Sequence, residues 1–222
     1  MAKTFLSIGA GPGIALATAR RFAKADYDIV LASRNAQRLG ENAATLRAEG
    51  FKVSARTVDA SNAHSIAKLV QEIGPDLDVL HYNAGVLHYD ANANLQPRTL
   101  QAESIESVVS DLQVNLSSAL VAIREALPAM TAKQRGTVLL TGGGFGVQPS
   151  ASFLNLSVGK AGIRALALAM FEPLKQQGIH IATVTVCKIV TPNTPQTAAI
   201  ADEFWKLHDQ PLNEWKAEAV YV

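Results

Sequence analysis

Apolar residues gather in short runs rich in Val, Ile and Leu at 4–8, 28–32, 52–58, 77–81, 137–141, 180–186 and 217–222, with longer stretches of helical periodicity between them. Near-continuous apolar strands belong to a sheet buried on both faces, and strands that alternate with helices pair in parallel through right-handed crossovers. The pattern therefore predicts an α/β fold, a single domain over 1–222 built on a doubly wound parallel sheet of about seven strands.

The clearest helix is expected over 102–130, where Ile105, Val108, Val109, Leu112, Leu116, Ala119, Leu120, Ile123 and Leu127 recur every three or four residues and mark one buried stripe. A second helix carries Ile163, Leu166, Ala167, Met170 and Leu174 and stops at Gly178 in "KQQGIH". "KIVTPNTPQT", with Pro192 and Pro195, reads as an irregular loop, and so does 91–98. Both follow the carboxyl end of a strand, the edge at which open α/β sheets bind ligands.

Composition narrows the partners. A net charge of +1 with 18% charged residues, and no block of like charge, gives no field for nucleic acid or a membrane surface, so the expected partner is a small molecule. The first apolar run is too short for a signal-peptide core and no later run approaches a membrane span, which predicts a cytoplasmic protein. The single cysteine, Cys187, ends the apolar run "IATVTVC" and is expected as a buried, inert thiol.

The first strand runs into "IGAGPGIALATARRFA". Gly9, Gly11 and Gly13 permit a tight turn with close backbone approach, and the helix opening near Ile14 offers free N–H groups and a positive dipole to a pyrophosphate. The second strand ends in "LASRN", where Arg34 replaces the carboxylate that would contact a ribose 2′-hydroxyl and suits a 2′-phosphate instead. These positions point to NADP(H).

Taken in order, these motifs resemble the short-chain dehydrogenase/reductase family from residue 4 to the last strand. The family's G-x-x-x-G-x-G falls on Gly9, Gly13 and Ala15, its adenine-contacting Asp on Asp59, its "NNAG" on Tyr82, Asn83, Ala84 and Gly85, and its helix asparagine on Asn115 in "LQVNLSS". The resemblance implies a Rossmann-type fold, further cofactor contacts at Ser33 and Val190, and assembly as a homodimer or homotetramer through the helices that hold Asn115 and Lys160. It also implies an oxidoreductase acting on a small carbonyl or alcohol, with specificity set by the loops at 91–98 and 191–209.

Two members of the catalytic set depart from the family. Lys160 matches the lysine that holds the nicotinamide ribose, but Leu156 stands at the tyrosine position one helical turn earlier and Gly143 at the serine position thirteen residues before it. A positioned acid contributes about 10²- to 10⁴-fold to carbonyl reduction, and leucine has no proton to give. Tyr89 and His88, on the substrate side, are candidate substitute donors, though loop aromatics packed over the cofactor cleft are the favoured reading of the pair; Thr141, Asn155 and Ser157 are neutral groups and poor acids. Asn115 and Lys160 are the retained catalytic positions. The alternative is a catalytically inactive NADP(H)-binding sensor or scaffold. A serine-hydrolase elbow at "NLSVG" lacks its preceding strand, and His81, His88 and Asp90 lack metal-site spacing, so no metal is expected.

Overall fold

The computed structural model describes residues 3–90 and 94–222. Seven parallel strands form one sheet: β1 (Lys3–Ile8), β2 (Tyr27–Ser33), β3 (Val53–Thr57), β4 (Leu77–Tyr82), β5 (Gly136–Thr141), β6 (Ile179–Val186) and β7 (Glu218–Tyr221), in the order β3-β2-β1-β4-β5-β6-β7. Each falls within two residues of its expected position. Successive strand residues point to opposite faces, so Phe5 and Leu6 serve two separate cores. Phe5 stacks on Phe22 of α1 (Ile14–Ala23) and shares its core with Leu16 of the same helix, Leu39 of α2 (Ala36–Ala48) and Phe204 of α7 (Pro195–His208). Leu6 shares the other core with Ile66 of α3 (Ala63–Ile73), Ile123 of α5 (Ser118–Lys133) and Ile163 of α6 (Leu154–Lys175).

The chain winds outward in one direction from β1 to β3 and in the other from β4 to β7, so the segments leaving β1 and β4 diverge and open a crevice between them. Gly9 lies at its floor with φ +86°, and a β-carbon there would collide with the backbone of Ala84 after β4. Glycine is required at this crossing for both reasons. Gly178, at φ +73°, similarly ends the α6 connection against the carbonyl of Gln134.

Three expectations need correction. The single helix expected over 102–130 is α4 (Ile105–Leu112), a π-helical turn over Gln113–Ser117 and α5. The wider turn rotates the two helices relative to each other, so their apolar positions do not form one stripe: Ile123 and Ala119 are buried, while Ile105, Val109 and Leu120 are exposed at 79%, 64% and 47%. The segment 191–209 is irregular only as far as Thr194. Pro195 then opens α7, a position where its missing N–H costs nothing, and Phe204 anchors the helix in the core. Cys187 is exposed, because β6 ends at Val186 and the next residue leaves the sheet.

Candidate active site

A cavity of about 1200 Å³ runs along the carboxyl ends of the strands, and Gly9, Gly11, Gly13 and Ile14 line its middle. A β-carbon on Gly11 would meet nothing within 4 Å, and one on Gly13 only Pro192 Cγ at 3.9 Å, so the freedom of these glycines serves the open space above them. Gly13 caps α1 without a side-chain hydrogen bond, leaving the first-turn N–H groups facing the cavity for an anion.

At one end stand Ser33, Arg34 and Asp59. Asp59 accepts from the Ser61 N–H at 2.9 Å, and that bond, assisted by the nearby Arg34 charge, holds its carboxyl below the usual range. Arg38 joins this group, a residue the sequence reading missed. Asn35 caps α2 by accepting from the Arg38 N–H at 2.9 Å, which places Arg38 in the first helical turn on the same cavity wall as Arg34. The capping asparagine followed by an arginine was the available signal.

Asn83, Ala84 and Gly85 cross the centre, and Val190 lies opposite in the segment after β6. Asn83 is fixed by a chain through the sheet. Thr141 Oγ1 donates to Asn83 Oδ1 at 2.9 Å, Asn83 Nδ2 donates to the Gly9 carbonyl at 3.0 Å, and His81 Nε2 lies 3.2 Å from Thr141 Oγ1 with Ser7 Oγ 3.1 Å from its Nδ1. Because the threonine hydrogen is already given to Asn83, His81 Nε2 must be the donor and Nδ1 the acceptor. Complete burial pushes His81 down to about 3, so it is a neutral structural link with both ring nitrogens engaged.

Lys160 projects from α6 to the cavity wall and donates from Nζ to the Thr141 carbonyl at 2.6 Å. Its stem fills the place beside Gly143, where a β-carbon would come within 3.3 Å of Lys160 Cγ. Burial pushes its ammonium down to about 8. Leu156, 9% exposed, lines the same cavity one turn earlier. Asn115 does not line it: the side chain is 2% exposed behind Gly85 and Val86, with Oδ1 accepting from the Val86 N–H at 2.7 Å and Nδ2 without a partner among the described residues. Gly159 allows this approach, since a β-carbon there would collide with Asn115 Cβ.

The substitute donors fare unequally. Ser157 bonds to the Phe153 carbonyl at 2.8 Å, Asn155 Nδ2 to Asp111 at 3.2 Å, and Thr141 to Asn83, so all three are engaged inside the fold. His88 turns its Nε2 to Asp111 Oδ2 at 2.9 Å, in a small side pocket behind Leu156. Tyr89 lines the main cavity and is 56% exposed. Residues 91–93, the first three of the loop expected over 91–98, lie outside the described residues. His88, Glu103 and Asp111 bring ligand atoms within 4.8 Å of one another, a grouping the sequence did not suggest. Each is already satisfied, Asp111 by His88 and Asn155, and Glu103 by the Ser107 hydroxyl at 2.6 Å with Arg98 at 3.6 Å.

The wall thus fits a phosphorylated dinucleotide: two guanidiniums at one end, free helix N–H groups in the middle, and an ammonium without a carboxylate partner among the described residues at the other.

Known proteins resemble this chain in sequence and in fold. The profile of a family described as short chain dehydrogenase matches residues 3–201. Among curated relatives, 3-dehydrosphinganine reductase TSC10B of Arabidopsis thaliana is 28% identical over 192 residues, covering 85% of this chain and 55% of that protein. The ketoacyl reductase HetN of a Nostoc species is 30% identical over 186 residues, covering 82% and 62%. The chain therefore spans little more than half of these relatives' length. A short-chain dehydrogenase from Rhodopseudomonas palustris superposes with TM-score 0.86 at 24% identity, covering 99% of this chain and 98% of that one. A metagenomic short-chain oxidoreductase in complex with NADP does so with TM-score 0.86 at 23% identity, covering 98% and 95%.

Proposed function

Because the chain belongs to the short chain dehydrogenase family, we propose that it is an NADP(H)-dependent oxidoreductase whose proton relay has been altered at Leu156 and Gly143. The observation that carries this reading is the single cavity joining Arg34 and Arg38 to Lys160 across the free amino end of α1. Bound there, the reduced cofactor would supply hydride. Arg34 and Arg38 would hold the 2′-phosphate by charge-assisted bonds, Asp59 would border the adenine, and Lys160 would hold the nicotinamide ribose. Asn115 acts from behind the wall, fixing the Val86 backbone through Oδ1.

Leu156 also favours a second reading, a protein that binds NADP(H) without turning it over, as a sensor or scaffold. Calorimetric titration with NADPH and NADH, followed by a screen for cofactor oxidation, separates the two. Preferential NADPH binding with oxidation supports the enzyme, and binding without oxidation by any acceptor supports the sensor. Equal affinity for both cofactors overturns the role given to Arg34.

Exposed Ile105 and Val109 on α4, Leu120 on α5, and Val158 and Leu168 on α6 support the proposal that the protein is a homodimer or homotetramer. Light scattering tests the assembly: Ile105→Asp with Val109→Asp should give monomer if α4 lies in the contact.

A further inference from the structure

The cavity changes character along its length. Arg34, Arg38 and Asp59 follow β2 and β3; in the other half Lys160 and Lys188 are the charged groups, among Leu87, Phe145, Val147 and Ile189 from the segments after β4, β5 and β6 and Leu156 from α6. Leu87, Val147 and Ile189 are exposed at 43%, 52% and 82%, and Phe145 stacks on Phe153 with centroids 5.1 Å apart. Apolar side chains left open along a cleft suit a ligand that covers them, and the Phe145 ring among them suits one that carries a ring of its own.

The side-chain hydroxyls lining the cavity are Ser33, Tyr89 and Thr141. Ser33 ends β2 beside Arg34, and Thr141 donates to Asn83. Tyr89 faces solvent over more than half its surface, and its backbone is bridged to that of Leu95. Leu156 offers an apolar surface where the hydride acceptor's oxygen would otherwise find an acid.

Building on the oxidoreductase reading above, we propose that the substrate is an apolar, conjugated dicarbonyl compound of the quinone class, seated against Phe145, Val147, Leu156 and Ile189. A saturated ketone that takes up hydride becomes a localised, strongly basic alkoxide, and a positioned acid then contributes about 10²- to 10⁴-fold. A quinone that takes up the hydride at one carbonyl oxygen forms an O–H bond there as the nicotinamide C–H bond breaks, and becomes a hydroquinone monoanion, an aromatic phenolate whose charge is spread over the other oxygen and the ring. Its remaining proton comes from water after the transfer, so a leucine at the acid position costs little. The balance closes: the quinone gains two electrons and one proton as hydride from the reduced dinucleotide, which is oxidised by two electrons, and one further proton from solvent.

The test uses menadione as the probe. Calorimetry measures its binding to protein saturated with NADP⁺, for the unmodified chain and for Val147→Asp and Ile189→Asp. Menadione should bind, and a carboxylate introduced into its apolar wall should weaken it by about 10-fold or more. In steady-state assays menadione should drive NADPH oxidation about 100-fold or more faster than cyclohexanone. Tyr89→Phe should change the menadione rate by less than about threefold, since no acid is required. NADPH binding without menadione binding overturns the substrate class alone. So does cyclohexanone reduction within about 10-fold of the menadione rate, or loss of menadione reduction in Tyr89→Phe. Failure of NADPH itself to bind overturns the oxidoreductase reading beneath it.

Discussion

Lys160 Nζ reaches back 2.6 Å to the carbonyl oxygen of Thr141, and its stem covers the face of Gly143 on the way. The lysine stem thus crowds the space that a side chain at 143 would enter, so the glycine there and the resting position of the ammonium go together.

The buried position of Lys160 carries a pH signature. Its pKa is lowered from 10.5 to about 8 by burial, so between those values the unfolded chain binds more protons than the folded one and stability rises with pH. Below about 8 both states are charged and the full cost of burying the ammonium is present. Lys160→Met removes that cost. Its advantage in urea midpoint over the unmodified protein should be largest below pH 8 and shrink towards pH 10; an advantage independent of pH would show that the ammonium is well solvated.

Restoring the relay should follow an order set by packing. Leu156→Tyr places a phenol one turn before Lys160 and should raise cyclohexanone reduction by about 10-fold or more. Gly143→Ser brings its β-carbon to 3.3 Å from Lys160 Cγ, so the flexible lysine stem must move by a few tenths of an ångström. The serine should therefore add little alone and contribute only beside the tyrosine. Steady-state kinetics of both single variants and the double variant check this.

The paired arginines should read out as cofactor preference. Removing a charge-assisted bond to a phosphate costs roughly 1.5–3 kcal/mol, so Arg34→Ala should weaken NADPH by about 10-fold or more while NADH changes little. Arg38→Ala should act in the same direction. A loss shared equally by both cofactors in calorimetry would place the arginines away from the 2′-position.

Two glycines within helices should respond oppositely to alanine. At Gly159 a β-carbon collides with Asn115 Cβ, and overpacking of this kind costs about 1–3 kcal/mol, more than the helix propensity gained. At Gly40 of α2 a β-carbon meets nothing within 4 Å, and alanine should stabilise by about 0.5–1 kcal/mol. Urea unfolding of Gly159→Ala and Gly40→Ala measures both signs.

Hydrophobic periodicity and the placement of glycines were enough to locate every strand, because a sheet buried on both faces demands continuous apolar runs whatever surrounds it. The same local signals assigned Gly9 to a constrained turn and Arg34 to the cavity, since both depend on neighbours within one strand-to-helix unit. Long-range packing decided the rest. The π-helical turn at Gln113–Ser117 rotated Ile105 and Val109 out of the expected buried stripe, and no spacing of apolar residues records that extra residue in the turn. Cys187 became exposed because β6 ended one residue before it, and the expected loop at 191–209 yielded α7 once Phe204 found the core beside Phe5. His88 was turned from the cleft by Asp111, twenty-three positions away, and Asn115 was set behind the wall by its bond to Val86. A sequence states which groups a chain carries and the local conformations they prefer; which of them meet, and which face the open cavity, depends on contacts between segments that are distant along the chain.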